Sequence, residues 1–167
     1  KYTELDDYYQ GKHGILDHTK RDSTLPNNKI VNNMAKYITD TAVGYFIGQP
    51  VVYSSQNVDY YKAIQDIFNY NDEQDQNTEL AKKASICGHC YEMLYIDEDA
   101  RIRFAKVEPG TLVMIYETGY NTPRAAIRTI NSADLEGNRI TRVEFWNWRE
   151  VWYFKSVNGS ALTLLDI

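Results

Sequence analysis

Residues 79–107 read ELAKKASICGHCYEMLYIDEDARIRFAKV, and the fold class turns on what happens within them. Over the first half, Leu80, Ala84, Cys87, Tyr91 and Leu94 recur at the spacing of one helix face, with Lys82, Lys83, His89 and Glu92 turned elsewhere. Over the second half, apolar and polar residues alternate through 93–96 and 102–107 around the acidic turn Asp97-Glu98-Asp99. The period therefore changes from helical to extended within a few residues. The chain before this switch should be helical, and the chain beyond it should be sheet.

Upstream, residues 1–26 hold a short Tyr-rich segment and then Gly11, Gly14, Asp22, Ser23 and Pro26, which predicts a short helix followed by a loop. After an N-cap at Asn27 or Asn28, Ile30, Met34, Tyr37, Ile38, Thr41, Ala42 and Tyr45 form one stripe expected to be buried. Gly48 and Pro50 stop that helix. A further helix, capped by Asn57 or Asp59, carries Tyr60, Tyr61, Ile64, Ile67 and Phe68. Between it and the helix starting at Glu79, residues 69–77 have Tyr70 as their one apolar member. A stretch that buries so little surface predicts a mobile loop.

Downstream, alternating runs at 112–117, 124–130, 140–148, 151–157 and 162–167 are separated by Pro109-Gly110, Asn121-Thr122-Pro123, Glu136-Gly137-Asn138 and Asn158-Gly159. The last is a strong hairpin signal, because both positions tolerate positive φ. Helices followed by an antiparallel meander define an α+β chain, with a helical part over 1–96 and a sheet part over 97–167.

Composition narrows the function. The 167 residues are 43% apolar, enough for a core, and no apolar run approaches the roughly 20 residues a bilayer span needs. The formal charge is −5, with eleven acids against seven bases over 1–78 and twelve against eleven beyond, which argues against a broad phosphate-binding surface. Fourteen tyrosines suit a subunit with neighbours, since the ring packs while the hydroxyl stays wet. Both ends read as cut: the chain opens on Lys1 and closes on an apolar segment without a polar tail.

Cys87-Gly88-His89-Cys90 matches the active tetrapeptide of disulfide isomerases, but that chemistry needs the first thiolate at a helix N-terminus. Here the motif falls well inside a helix, with Cys87 on its apolar stripe, so two structural cysteines are expected. Zinc would need more ligands, and His13 and His18, in a Gly-rich loop, are the only other histidines. Phosphate-loop, nucleophile-elbow and metal-nuclease signatures are absent. Trp146, Trp148 and Trp152, with Phe145, Tyr153, Phe154, Arg142 and Arg149, could stack single-stranded bases, but core and interface packing is the simpler reading.

One resemblance spans some of these pieces. Tyr8-Tyr9-x-Gly11-x-His13-x-Ile15, Asn27-Asn28-Lys29-Ile30-Val31-Asn32-Asn33, Lys36-Tyr37-Ile38-x-Asp40 and Gly44-Tyr45-Phe46-Ile47-Gly48-Gln49-Pro50-Val51 succeed one another in order. Then come Ser85-x-x-Gly88 with Glu92, Tyr95-x-Asp97, and Ala126-Ile127-Arg128. The series resembles the opening of the portal proteins of long-tailed phages of Gram-positive bacteria. Cys87 and Cys90 depart from that pattern.

The resemblance implies a wing-region fragment, with the stem and clip of the family absent. It further implies a structural subunit without catalytic, cofactor or metal residues, in a ring of about twelve copies at one capsid vertex of the virion. Capsid, scaffolding, terminase and head-completion proteins would be its partners during assembly in the host cytoplasm. DNA would pass through the channel without sequence-specific binding, and no membrane is involved. Two other readings remain: a thiol-disulfide or zinc-dependent enzyme using the Cys87–Cys90 helix, and a single-stranded nucleic-acid binding module.

Overall fold

The computed structural model describes residues 1–20, 24, 26–119 and 121–165. Part of the expected loop, at 21–23 and 25, and the last two positions of the expected final strand, 166–167, lie outside the described residues. The chain divides into two units, Lys1–Val107 and Glu108–Ile167.

The first unit contains α1 (Tyr2–Tyr9), a 3₁₀ turn (Gly14–Asp17), α2 (Met34–Ile47), α3 (Val58–Asn71), α4 (Glu73–Cys87) and a hairpin of β1 (Tyr91–Ile96) and β2 (Ile102–Val107). Its central element is α4, which packs against α1, α2, α3 and β2. Among α4 residues only Asp75 and Ser85 are exposed.

The polar side chains of α4 are tied to its neighbours. Lys83 reaches Asp6 of α1 at 2.8 Å, Gln74 donates to the Ile47 carbonyl that ends α2 at 3.3 Å, and Lys106 of β2 reaches Glu79 at 3.0 Å.

This wiring overturns the loop expected at 69–77. Helix occupies that stretch except at Asp72, whose φ of 52° places it in the left-handed region, so that α3 and α4 meet at a one-residue corner. The polar run does bury little apolar surface, but hydrogen bonds order it. Asn71, 5% exposed, donates to the Ile67 and Ile102 carbonyls at 2.8 and 2.9 Å and accepts from the Phe104 amide at 3.2 Å. Tyr53 donates to Glu73 at 2.6 Å.

Three more expectations shift. The cap of α2 is Asn33, accepting from the Lys36 amide at 3.0 Å, rather than Asn27 or Asn28. The buried face of α2 is Thr39, Val43 and Ile47, so the stripe expected to be buried points outward. The helix holding Cys87 ends there, because Gly88 adopts φ 84°, a conformation open to glycine at little cost. Tyr91 and Leu94 belong to β1. The cap of α3 is Asn57, one of the two residues expected, accepting from the Tyr60 amide at 3.0 Å.

The second unit is an antiparallel meander in the order β3 (Leu112–Tyr116), β4 (Pro123–Ala133), β5 (Arg139–Asn147), β6 (Val151–Val157) and β7 (Thr163–Leu164), after a short 3₁₀ turn at Pro109–Thr111. Its turns are built by side-chain acceptors. Asp134 Oδ1 takes the amides of Glu136 and Asn138 at 3.0 and 2.8 Å, and Asn147 Oδ1 takes those of Arg149 and Glu150 at 2.7 and 2.9 Å. Asn158 and Gly159 both have positive φ, as the β6–β7 hairpin requires. Helices followed by antiparallel sheet make the chain α+β, as expected.

Candidate functional site

The tetrapeptide at 87–90 is the first place to look for chemistry, and its setting is the reverse of a thiol-activating one. Cys87 is the last residue of α4, at the carbonyl end, where the negative pole of the helix dipole disfavours an anion. It is buried, whereas Cys90 is half-buried in the connection to β1 with its sulfur 3.8 Å from the carbonyl oxygens of Tyr91 and Val107.

His89 sits between two tyrosines. Its ring meets Tyr2 and Tyr91 edge-on at centroid distances of 5.4 and 5.3 Å, and its Nε2 lies 3.1 Å from the Tyr2 hydroxyl. The three residues therefore clamp α1 to the start of β1. His13 stacks on Tyr8 with its Nε2 3.1 Å from the Tyr8 carbonyl, and His18 lends its carbonyl to Asn27 at 3.0 Å. Among the described residues, no three His, Cys, Asp or Glu side chains are grouped to hold a metal ion.

The acidic turn is a structural hairpin. Asp97 Oδ1 accepts the amides of Asp99 and Arg101 at 3.1 and 2.9 Å, and these bonds, led by that from Arg101, hold its carboxyl below the usual range. Its other oxygen takes the Tyr70 hydroxyl at 3.2 Å. The Tyr70 ring also contacts the guanidinium groups of Arg101 and Arg103, 4.6 and 4.7 Å from its centroid. Sequence reasoning misses this cluster, because Tyr70 and the two arginines are remote along the chain and nothing local links them.

The tryptophans do not form a common stacking platform. Trp152 packs beside Phe145 on one face of the sheet, with centroids 6.1 Å apart. Trp146, the next residue on β5, points to the other face and donates to Glu144 at 3.0 Å. Trp148 lies in the β5–β6 turn with the Arg149 guanidinium 4.2 Å from its ring. The Phe145 face, with Ile127, Val143, Phe154 and Leu162, lines a shallow apolar hollow of about 350 Å³. On the other face Arg128 and Glu144 pair at 3.5 Å.

What the described residues bring together here are aromatic clamps, at Tyr2, His89 and Tyr91, and carboxylates that build turns, at Asp97 and Asp134. The comparisons agree in kind. A family model described as phage portal protein, SPP1 Gp6-like, matches residues 1–164, and the chain belongs to that family. Among individual proteins, the portal protein of Bacillus phage SPP1 is 23% identical over 141 residues, which cover 83% of this chain and 27% of that protein. The chain thus spans about a quarter of the length of the curated relative it matches. Among the described residues, no helix is long and apolar enough to cross a membrane.

Proposed function

We propose that the chain is the wing region of a structural portal subunit, one copy in a ring of about twelve at a single capsid vertex, through which DNA is packaged and later ejected. The observation that carries this is the family match along residues 1–164, almost the whole chain. In this reading the helical and sheet units are two parts of one wing region, with stem and clip supplied by further chain. Capsid, scaffolding, terminase and head-completion proteins meet the complete subunit, and DNA passes without sequence-specific contact. The site of action is the virion vertex, reached from the host cytoplasm during assembly.

The chain performs no catalysis in this reading. Two features support that: Cys87 lies at the C-terminal end of its helix rather than at an N-terminus, and His89 is engaged by Tyr2 and Tyr91. The separation of Trp146 from Trp152 across the sheet likewise speaks against a single-strand binding platform.

Immunogold labelling of phage particles with an antibody raised against the chain tests the reading. Label confined to one vertex per particle is expected. Label spread over the shell, or confined to the tail tip, overturns it.

A further inference from the structure

Helix α2 is apolar nearly all round, and a helix of that kind ordinarily sits between two partners. Its inward face, Thr39, Val43 and Ile47, is covered within the unit, where α2 packs on α4 and α1. Its two charged side chains also turn toward α1. Asp40 accepts the Tyr9 hydroxyl at 2.8 Å, and Lys36 lies 5.8 Å from the centroid of the Tyr9 ring.

The arc opposite Val43 therefore carries no charge. Met34, Ile38, Thr41 and Tyr45 succeed one another along it at helical spacing, flanked by Tyr37, while the exposed Phe46 lies nearer the inward face. Tyr45 is 96% exposed and Phe46 80%, and Met34, Tyr37 and Ile38 are each about half exposed or more. At roughly 200 Å² per large side chain, the open surface of Met34, Tyr37, Ile38 and Tyr45 is on the order of 500 Å². That lies at the upper end of the roughly 300–600 Å² of the largest patch on an ordinary monomer, a patch that is often functional, and is more than half of the roughly 800 Å² each partner contributes to a stable interface.

The residue types favour a partner that arrives after folding. Tyrosine, phenylalanine and methionine are enriched, and charges depleted, at the centres of protein interfaces, and tyrosine hydroxyls tolerate water until the partner docks. A second patch of the same unit offers a counterpart. On the β1–β2 hairpin Ile96 stands opposite Ile102, and Leu94 lies two residues along on the same face; all three are exposed. The hairpin packs on α3 and α4 through β2, whereas α2 packs on α4 and α1, so the two patches belong to different elements.

We propose that the outer face of α2 docks on a second copy of this chain, at that copy's Leu94, Ile96 and Ile102. Joining two different patches makes a head-to-tail contact, which repeats from copy to copy and closes into a ring when the rotation allows. Pairing α2 with α2 would stop at a dimer. The choice of a head-to-tail partner rests on the portal-subunit reading, whose ring requires one.

The test replaces Tyr45 with a photoreactive benzoylphenylalanine in a mixture of isotope-labelled and unlabelled protein, and maps cross-links by mass spectrometry. Cross-links between copies into residues 94–102 are expected. Cross-links between copies that fall only within 34–47, or in any region other than 94–102, overturn the contact, as does a complete lack of links between copies.

The paired variant Tyr45→Glu with Phe46→Glu should weaken self-association in sedimentation by about tenfold or more, as loss of an interface centre does. The circular dichroism spectrum should stay unchanged, since both side chains face solvent. Ile96→Glu should act similarly, and Val58→Glu on α3 should not. Equal association by all four proteins overturns the proposal. If an antibody against the protein labels one vertex while the cross-links fall elsewhere, this contact alone is wrong. If the cross-links reach 94–102 while label covers the whole shell, the contact stands and the portal reading falls.

Discussion

Replacing Asn71 by alanine should cost the first unit a large part of its stability, although the residue lies in a stretch that composition marks as expendable. The side chain is 5% exposed and makes three hydrogen bonds, donating to Ile67 and Ile102 carbonyls and accepting the Phe104 amide. Truncation removes all three and leaves the β2 partners, the part-buried Ile102 carbonyl and Phe104 amide, without this side chain. At roughly 0.5–1.5 kcal/mol for each net bond, and more for a polar group left buried and unmet, the loss comes to about 2–4 kcal/mol. A unit of this size has about 5–15 kcal/mol to lose, so the effect is a substantial fraction.

Urea unfolding followed by circular dichroism measures the total, and hydrogen exchange at the Phe104 amide reads the local effect. The Asn71→Asp variant sharpens the test. It keeps an acceptor for Phe104 but turns two donors into carboxylate oxygen facing carbonyls, so it should lose at least as much at neutral pH. If Asn71→Ala loses less than about 1 kcal/mol with Phe104 protection unchanged, the corner between α3 and α4 is held by something other than this side chain.

Cys87→Ala should cost about 1 kcal/mol through lost packing and Cys90→Ala less, because only Cys87 is fully buried; in a thiol-labelling assay Cys87 should react only as the protein unfolds. Glu79 is held below the ordinary carboxylate range by its hydrogen bonds to Lys82 first and Lys106 second, so its contribution is present above about pH 4.5 and is lost as pH falls through the depressed folded value. It is roughly a third exposed, so the effect should be a fraction of a kcal/mol, and Lys106→Met should shrink it in an acid titration of stability. The Tyr9 phenol is pushed up to about 12, by burial first and then by its hydrogen bond to Asp40. Its contribution is therefore complete below pH 10 and is lost as pH rises through 12. The late phenolate absorbance step should be missing in Tyr9→Phe.

Most of the sheet is legible in the sequence, although β1 starts two residues before the run expected at 93–96 and, of the run expected at 162–167, only Thr163–Leu164 is strand among the described residues. Runs expected at 102–107 and 151–157 are strands with those bounds, and 112–117, 124–130 and 140–148 differ from β3, β4 and β5 by a few residues at their ends. The reason is physical: strand alternation is a local pattern, and the turns between strands are made by Asp134, Asn147 and Asn158 acting on amides within four residues in the same turn, or just across the hairpin. The helical unit is less legible where its order comes from distant partners. Asn71 is held by β2 some thirty residues later, and Lys83 by Asp6 far earlier, so the polar character of 69–77 gives no sign of burial. The tetrapeptide at 87–90 is expected inside a helix, but Gly88 closes the helix at Cys87, so the motif falls at a helix C-terminus instead.

The reversal of α2 carries the most functional weight. Its apolar stripe marks a surface that avoids water, and the expectation that it is buried is what fails. Periodicity identifies which residues avoid water; it does not say whose surface they meet. With Thr39, Val43 and Ile47 facing inward, a second, broader apolar face with Met34, Tyr37, Ile38 and Tyr45 is left uncovered within this unit. Surplus apolar surface on a helix free of outward charge would promote promiscuous aggregation if it had no designated partner. In the proposed contact, the outward face of α2 is thus the part of this scaffold where assembly, rather than folding, accounts for the choice of residues.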